Sequence, residues 1–259
     1  MSGPRGLSAT GPRAAPRWQA TLAMTAAELR LALRRGETLV ATAILPVVVL
    51  VFFASVGLLP STTVRPVDFL LPGSIAFAII ATSLVSLGIT TAYDRFYGVL
   101  KRLGGSPLSR AELVAGKMLA VLVVEIVQVA LLVGAATVLL GWTASPGASV
   151  GTALAALLLG TLAFAGLGLL LAGSLRAETM LAVANGLFVA SLLLGGIVLP
   201  IDHLPDPLAA LAGALPAAAV SEAFRAALGV GGDATAAVVL LAGWGLGATA
   251  LAALTFRWE

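Results

Sequence analysis

Residues 93–112 read YDRFYGVLKRLGGSPLSRAE. The stretch is a long, mostly positive polar interruption between apolar runs, each long enough to cross a membrane. A basic segment between two spans is retained on the cytoplasmic side. From Asp94 to Leu103, the residues Phe96, Val99, Leu100 and Leu103 recur at helical spacing, with Arg95, Lys101 and Arg102 largely off that stripe. Asp94 suits the positive end of such a short helix, and the basic pair its negative end. Gly104-Gly105 would stop it. Ser109 and Glu112 then hold the S-x-x-E spacing of a capping box opening the next helix. The competing start has Ser106 as cap and Pro107 at the first helical position.

Composition agrees with a chain that lives in lipid. Of 259 residues, 59% are hydrophobic and 10% charged, with a mean hydropathy of +1.06; soluble domains carry roughly 25% charged residues. This predicts an all-α polytopic membrane protein. Cysteine is absent and His203 is the lone histidine, which removes a disulfide framework and most metal sites. His203 reads as an exposed loop residue.

Residues 1–17 are expected to form a disordered tail, rich in Gly, Pro, Ser and Arg, and 18–259 one transmembrane domain. Between Trp18 and Arg35, Trp18, Leu22, Leu29 and Leu33 recur at helical steps with arginines mainly elsewhere on the wheel. That pattern suits a helix lying flat in the headgroup region. Six spans follow at about 38–59, 69–92, 112–142, 150–173, 179–199 and 234–256. Pro46 is an expected kink in the first, and Pro72 is placed in the first turn of the second. A Pro-rich segment, Pro200 to Asp233, separates the last two. With the N-terminus inside, 13 of the 15 Lys and Arg residues fall on the cytoplasmic side, leaving only Arg65 and Arg225 outside. The positive-inside bias selects six spans with both termini cytoplasmic, and explains a basic pI without nucleic acid.

The 93–112 segment resembles the signature region of ABC-2 type transporter permeases, including the daunorubicin-resistance-like drug exporters. The residues that carry the likeness are Asp94-Arg95, Gly98, Leu100 to Leu103, Pro107-Leu108-Ser109, Glu112 and Gly116-Lys117. A second likeness lies in GGIVLPIDHLPDPL and LPAAAVSEAFRAAL, through Gly196, Pro200, Asp202, Leu204, Pro205, Pro216, Glu222 and Arg225. DFLLPGSIAF is a third, weaker one. The resemblance implies an interfacial elbow helix near the N-terminus and a re-entrant outer hairpin after the fifth span. It also implies a coupling helix formed by Asp94, Arg95, Phe96, Gly98, Val99, Leu100 and Leu103, seated on an ABC ATPase subunit. Two ATPase copies, a second permease protomer (more readily an identical one) and the bacterial plasma membrane complete the implied assembly. Asp94 stands where the family more usually has Glu, and Tyr93, Phe96 and Tyr97 make the region more aromatic.

The chain carries no phosphate-binding loop of its own. A P-loop needs G-x-x-x-x-G-K-S/T; Gly116-Lys117 is followed by Met118, and position 111 is Ala. Energy is therefore supplied by another chain, with ATP and magnesium on the partner ATPase as the resemblance implies, or by an ion gradient; the chain is read as a transport subunit, not an enzyme. Glu125 lies about 22 Å along its helix from Arg110, near mid-membrane, with Gln128 on the same face. These two, and Asn185 in the fifth span, are either a polar substrate path or helix–helix hydrogen bonds. Gly243 and Gly247 form a GxxxG in the sixth span, expected to pack closely. Three functions compete. They are an ATP-driven exporter of a drug, lipid or similar molecule, with drug efflux and antibiotic resistance as its setting; a secondary transporter using Glu125 for proton coupling; and a non-transporting membrane subunit.

Overall fold

The computed structural model describes residues 16–34, 36–56, 65–106 and 108–255. The expected tail lies almost wholly outside the described residues, as do part of the first loop and the last four positions. The elements are α1 (Arg17–Arg34), α2 (Gly36–Val56), α3 (Pro66–Phe96), α4 (Val99–Gly104) and α5 (Arg110–Leu140), followed by α6 (Val150–Ser174), α7 (Ala177–Leu194), α8 (Asp206–Ala214), α9 (Pro216–Ala227) and α10 (Ala234–Thr255). No strand occurs among the described residues. Helices α3, α5, α6, α7 and α10 are long and apolar enough to cross a membrane, which makes this a multi-pass membrane protein. The expected first span is represented by the apolar stretch Thr42–Val56 of α2.

Helix α3 is the axis of the bundle. Its apolar window is 83% buried, against 17% for α7 and 28% for α10, so the other helices pack around it and face outward. Small residues permit the close crossings. A Cβ on Gly73 would overlap the Ile197 carbonyl, and one on Gly166 would lie 2.8 Å from the Thr249 amide nitrogen, where α6 meets α10. At that crossing the Thr249 hydroxyl donates to the Leu162 carbonyl at 3.2 Å.

Several boundaries depart from the sequence reading. The second span opens at Pro66, not near Phe69, because a proline at the first helical position and Asp68 in the first turn start a helix well; Arg65 pairs with Asp68 at 3.0 Å. Pro72 therefore sits inside the helix, not in its first turn. The short helix expected from Asp94 to Leu103 does not exist as one unit. Helix α3 runs on through Phe96, and Gly98, in the left-handed region at φ 71°, breaks it before α4. A helix cannot continue through that backbone conformation. The fifth span ends at Leu194, and residues 195–199 form turns and bends. The Pro-rich segment is largely helical, with α8 and α9 bent by 78° at the residue before Pro216. The GxxxG glycines Gly243 and Gly247 face away from the bundle, with nothing within 4 Å of a Cβ at either; Gly245 makes the close contact instead, against Leu162. His203 is exposed.

Candidate functional site at the basic end of the bundle

Five pieces converge where α3 ends: α1, α4, the start of α5, the α6–α7 turn and the tip of α3 itself. Ser109 caps α5 with the reciprocal bonds of a capping box. The Ser109 N–H donates to Glu112 Oε2 at 2.7 Å, and the Glu112 N–H to Ser109 Oγ at 3.3 Å. Of the two starts left open by the sequence, this one is realised. One turn further on, Gly116 lets α1 approach closely: a Cβ there would stand 2.7 Å from Met24. The Thr25 hydroxyl donates to the Gly116 carbonyl at 3.2 Å.

The approach brings three charges together. Lys117 Nζ donates to Glu28 Oε1 at 2.6 Å and to Asp94 Oδ2 at 3.0 Å, and the lysine side chain is 1% exposed. One ammonium thus ties α1, α3 and α5 into a unit. A buried lysine requires such partners, since an unpaired ammonium out of water costs several kcal/mol. Arg95, next in sequence, turns the other way: Nη1 donates to the Gly173 carbonyl at 2.5 Å and Nη2 to the Leu175 carbonyl. These carbonyls at the end of α6 lack intrahelical partners, so Arg95 acts as their cap. The tip of α3 is clamped on two sides.

Beyond the clamp the chain presents an aromatic knob. Phe96, Tyr97 and Val99 are 62%, 67% and 41% exposed, whereas Leu100 is fully buried and Leu103 packs partly beneath it with Leu113 and Val114. The stripe read from the sequence is therefore divided, with half anchoring α4 and half left open. Tyr93 and Tyr97 stack at 6.0 Å between ring centroids, and Phe96 meets Tyr97 edge-on at 5.2 Å.

The mid-bundle polar residues form a second cluster. Residues Ile80–Ser86 of α3 are wound as a π-helix, a departure that is often found at functional positions. The Ser83 hydroxyl from this segment and the Thr161 hydroxyl of α6 both hydrogen-bond the Glu125 carboxyl. The Thr82 hydroxyl lies 3.0 Å from the Gln128 amide, whose Nε2 also donates to the Thr42 carbonyl at 3.1 Å. Glu125 and Gln128 are both buried. Asn185 does not join them; it faces outward and donates to the Leu181 carbonyl of its own helix at 2.7 Å.

At the opposite end, Arg225 donates to the Gly196 carbonyl, pairs with Glu222 at 3.4 Å and lies 4.7 Å over the Phe69 ring. Glu222 also accepts from the Asp233 N–H at 3.3 Å. Pro200 precedes a 3₁₀ turn containing Asp202, Pro205 precedes α8, and Pro216 begins α9. A cavity of about 580 Å³ opens here, lined by Pro200, Asp202, Glu222, Arg225 and Asp233 among others. Gly196, at φ 63°, makes the turn that brings its carbonyl to Arg225.

Against known families, the profile described as ABC-2 type transporter matches residues 19–228. The chain belongs to the ABC-2 type transporter family. The match takes in α1 to α9, so both the basic-end junction and the α8–α9 pair are parts of the ABC-2 domain. No curated protein matches this ABC-2 chain significantly. Membership makes it a transport subunit and implies an ABC ATPase partner.

Sequence reasoning singled out Asp94 and Arg95 but missed Glu28, Ser83 and Thr161, and saw Lys117 only as half of a motif. A signal existed for the first pair. Glu28 is the sole acid of α1, on the face of Thr21 and Thr25, and Lys117 is the one cation within the apolar part of α5, two turns from its start. Lone charges of opposite sign in apolar settings tend to find each other. The hydroxyl partners of Glu125 carried no such signal, because the π turn that aims Ser83 cannot be read from residue spacing.

Proposed function

We propose that the chain is the membrane-spanning subunit of an ATP-driven exporter for a hydrophobic or amphipathic substrate, a drug, a lipid or a similar molecule. In this reading the basic end faces the bacterial cytoplasm and α1 is the elbow in the headgroup layer. The turn from Phe96 to Val99 with α4 seats on a separate ATPase, which holds the ATP and magnesium. Two protomers and two ATPase subunits make the assembly. The bent α8–α9 pair is the re-entrant hairpin at the outer face. The antibiotic-resistance setting follows the drug-exporter likeness.

The observation that carries this reading is the knob together with its clamp. An exposed aromatic patch that no described residue covers suits a protein partner. Because Lys117 and Arg95 fasten the adjoining turn of α3 to α1, α5 and α6, a push on the knob reaches four helices with little slack. Glu125 is satisfied by two hydroxyls within one protomer, which favours helix packing over a proton path.

The test reconstitutes the chain with its ATPase and measures ATP hydrolysis and co-purification. Phe96→Ala with Tyr97→Ala removes exposed rings and leaves the clamp intact, so it should cut stimulated hydrolysis by about tenfold, the effect of losing an interface anchor. Unaltered docking and hydrolysis would remove the coupling role. Since the chain has no cysteine, Val99→Cys also tests orientation: it should resist an impermeant thiol reagent added outside intact cells.

A further inference from the structure

Asn185 is the chain's single asparagine. It stands midway along α7, about 14 Å past Arg176 at 1.5 Å per residue, near the middle of a hydrocarbon core about 30 Å thick. The inner face of α7 is fixed. Ala177, Met180 and Ala184 are buried with Ala92 of α3 and Ala172 of α6, and Phe188 meets the Phe77 ring at 5.1 Å. With that face inward, Asn185 points away from the bundle together with Ala182, Gly186 and Val189, and all four are exposed. One amide proton of Asn185 goes to the Leu181 carbonyl at 2.7 Å. Among the described residues nothing donates to its Oδ1 or accepts its second amide proton. A Cβ on Gly186 would meet nothing within 4 Å, and α7 is the least covered of the five apolar spans, with 17% of its window buried.

We infer that the outward face of α7 is the contact between two copies of this chain, with the Asn185 amides paired across it. The inference rests on the two-protomer part of the proposed assembly and says which surface joins the protomers. Lipid tails offer neither donor nor acceptor, so the unmatched carbonyl and N–H of Asn185 are costly against them. A two-fold axis along the membrane normal sets two α7 helices side by side and parallel, each residue facing its counterpart. The amide is self-complementary: each copy donates its second N–H to the other's Oδ1. A single asparagine in an otherwise apolar helix contact sets register and partner number in this way. Ala182 and Gly186 let the backbones approach, and no charge occurs from Thr179 to Leu194 to oppose the pairing. Glu178 stays clear of its copy because crossed helices diverge from a contact centred near Gly186. The outward glycines of α10, Gly243 and Gly247, would also allow close packing, but they leave no side-chain polar group unmatched, and lipid covers them without that cost.

The experiment uses the full chain in phosphatidylcholine vesicles. Copies labelled at the N-terminus with a donor or an acceptor fluorophore are mixed, and energy transfer is followed as added lipid dilutes them. Asn185→Leu should weaken association by about tenfold, the loss of two amide bonds of the modest strength such bonds have between spans. Asn185→Gln keeps a donor and an acceptor and should recover most of it. Gly186→Ile fills the crossing and should weaken association as well. All three positions of change face outward, so melting curves should match the parent; should Asn185→Leu fail to fold, Gly186→Ile carries the test. Because the chain has no cysteine, single cysteines map the face. Ala182→Cys and Val189→Cys should form disulfide dimers under copper phenanthroline, and Gly247→Cys on α10 should not. Equal association of the Leu and Gln variants overturns the amide pairing. Cross-linking at 247 in place of 182 and 189 moves the contact to α10 and overturns the assignment, and absence of energy transfer between copies removes the second copy as the occupant. Association needs no ATPase, so failure of the ATPase-docking test would leave this contact standing, and failure here would leave the docking reading intact.

Discussion

Removing the ammonium at the junction is the sharpest test of how the basic end is built. Lys117→Met keeps the length and apolar stem of the side chain and deletes only the charge. Two carboxylates, one from α1 and one from α3, then face each other without a counter-ion. Taking one partner from a buried pair costs about 3–5 kcal/mol, and the partial exposure of Glu28 and Asp94 places this case near the lower end, about 3 kcal/mol. In a domain of this size each kcal/mol shifts Tm by about 2–4 °C, so Lys117→Met should melt about 6–12 °C below the parent. Glu28→Gln or Asp94→Asn alone leaves a neutral pair and should cost only about 1 kcal/mol. The triple change, Lys117→Met with both carboxylates neutralised, should return to within about 1 kcal/mol of the parent, because charge and counter-charge leave together. Tryptophan fluorescence melting in one detergent at one pH measures all four. The reasoning is refuted if Lys117→Met melts at the parental temperature, or if the triple variant is less stable than Lys117→Met alone.

Three further outcomes follow from the packing. Ser109→Ala removes the capping box of α5 and should cost about 1 kcal/mol, read as a small fall in Tm in the same assay. Gly166→Val forces side-chain atoms into the Thr249 backbone and should prevent folding or lower Tm severely, whereas Gly243→Val meets open space and should leave the single protomer unchanged. Size-exclusion with light scattering then asks whether Gly243→Val breaks an assembly, which would put the outer face of α10 in a subunit contact. Glu125→Gln keeps an acceptor and a donor for Ser83 and Thr161 and should preserve ATP-driven transport. Glu125→Leu strands the Ser83 hydroxyl, at a cost of about 1–3 kcal/mol, while the Thr161 hydroxyl keeps the Leu157 carbonyl at 2.7 Å; a transport defect in Glu125→Gln at full stability would instead favour proton coupling.

Most of the apolar spans and the capping box were legible because each rests on local chemistry. An apolar run of about 20 residues and an S-x-x-E need no knowledge of distant contacts. Two kinds of feature were hidden. The first is a change of backbone winding: the positive φ of Gly98 cut the expected Asp94–Leu103 helix, and the π segment of α3 altered which side chains face α5. The second is long-range pairing. Arg95 looked like a surface group of a basic loop, but it reaches 78 positions along the chain to the Gly173 carbonyl. Asp94 looked like a partner for its own helix end and became one for Lys117. Asn185 is a different case: a polar residue in an apolar run suggests a bundle interior or a subunit contact, and in the single protomer it faces outward with its amide on the carbonyl one turn back.

The widened turn at Ile80–Ser86 accommodates residues that an ordinary α pitch would distribute differently. Winding it tight by one residue would spin the lower part of α3 by roughly 100° about its own axis. Such a rotation would drag Asp94 off Lys117 and Arg95 off the Leu175 carbonyl, and would swing Ser83 away from Glu125. The pitch of one short segment and the three attachments below and beside it are thus mutually enforcing: none can relax while the others hold, and release of any one loosens the whole screw.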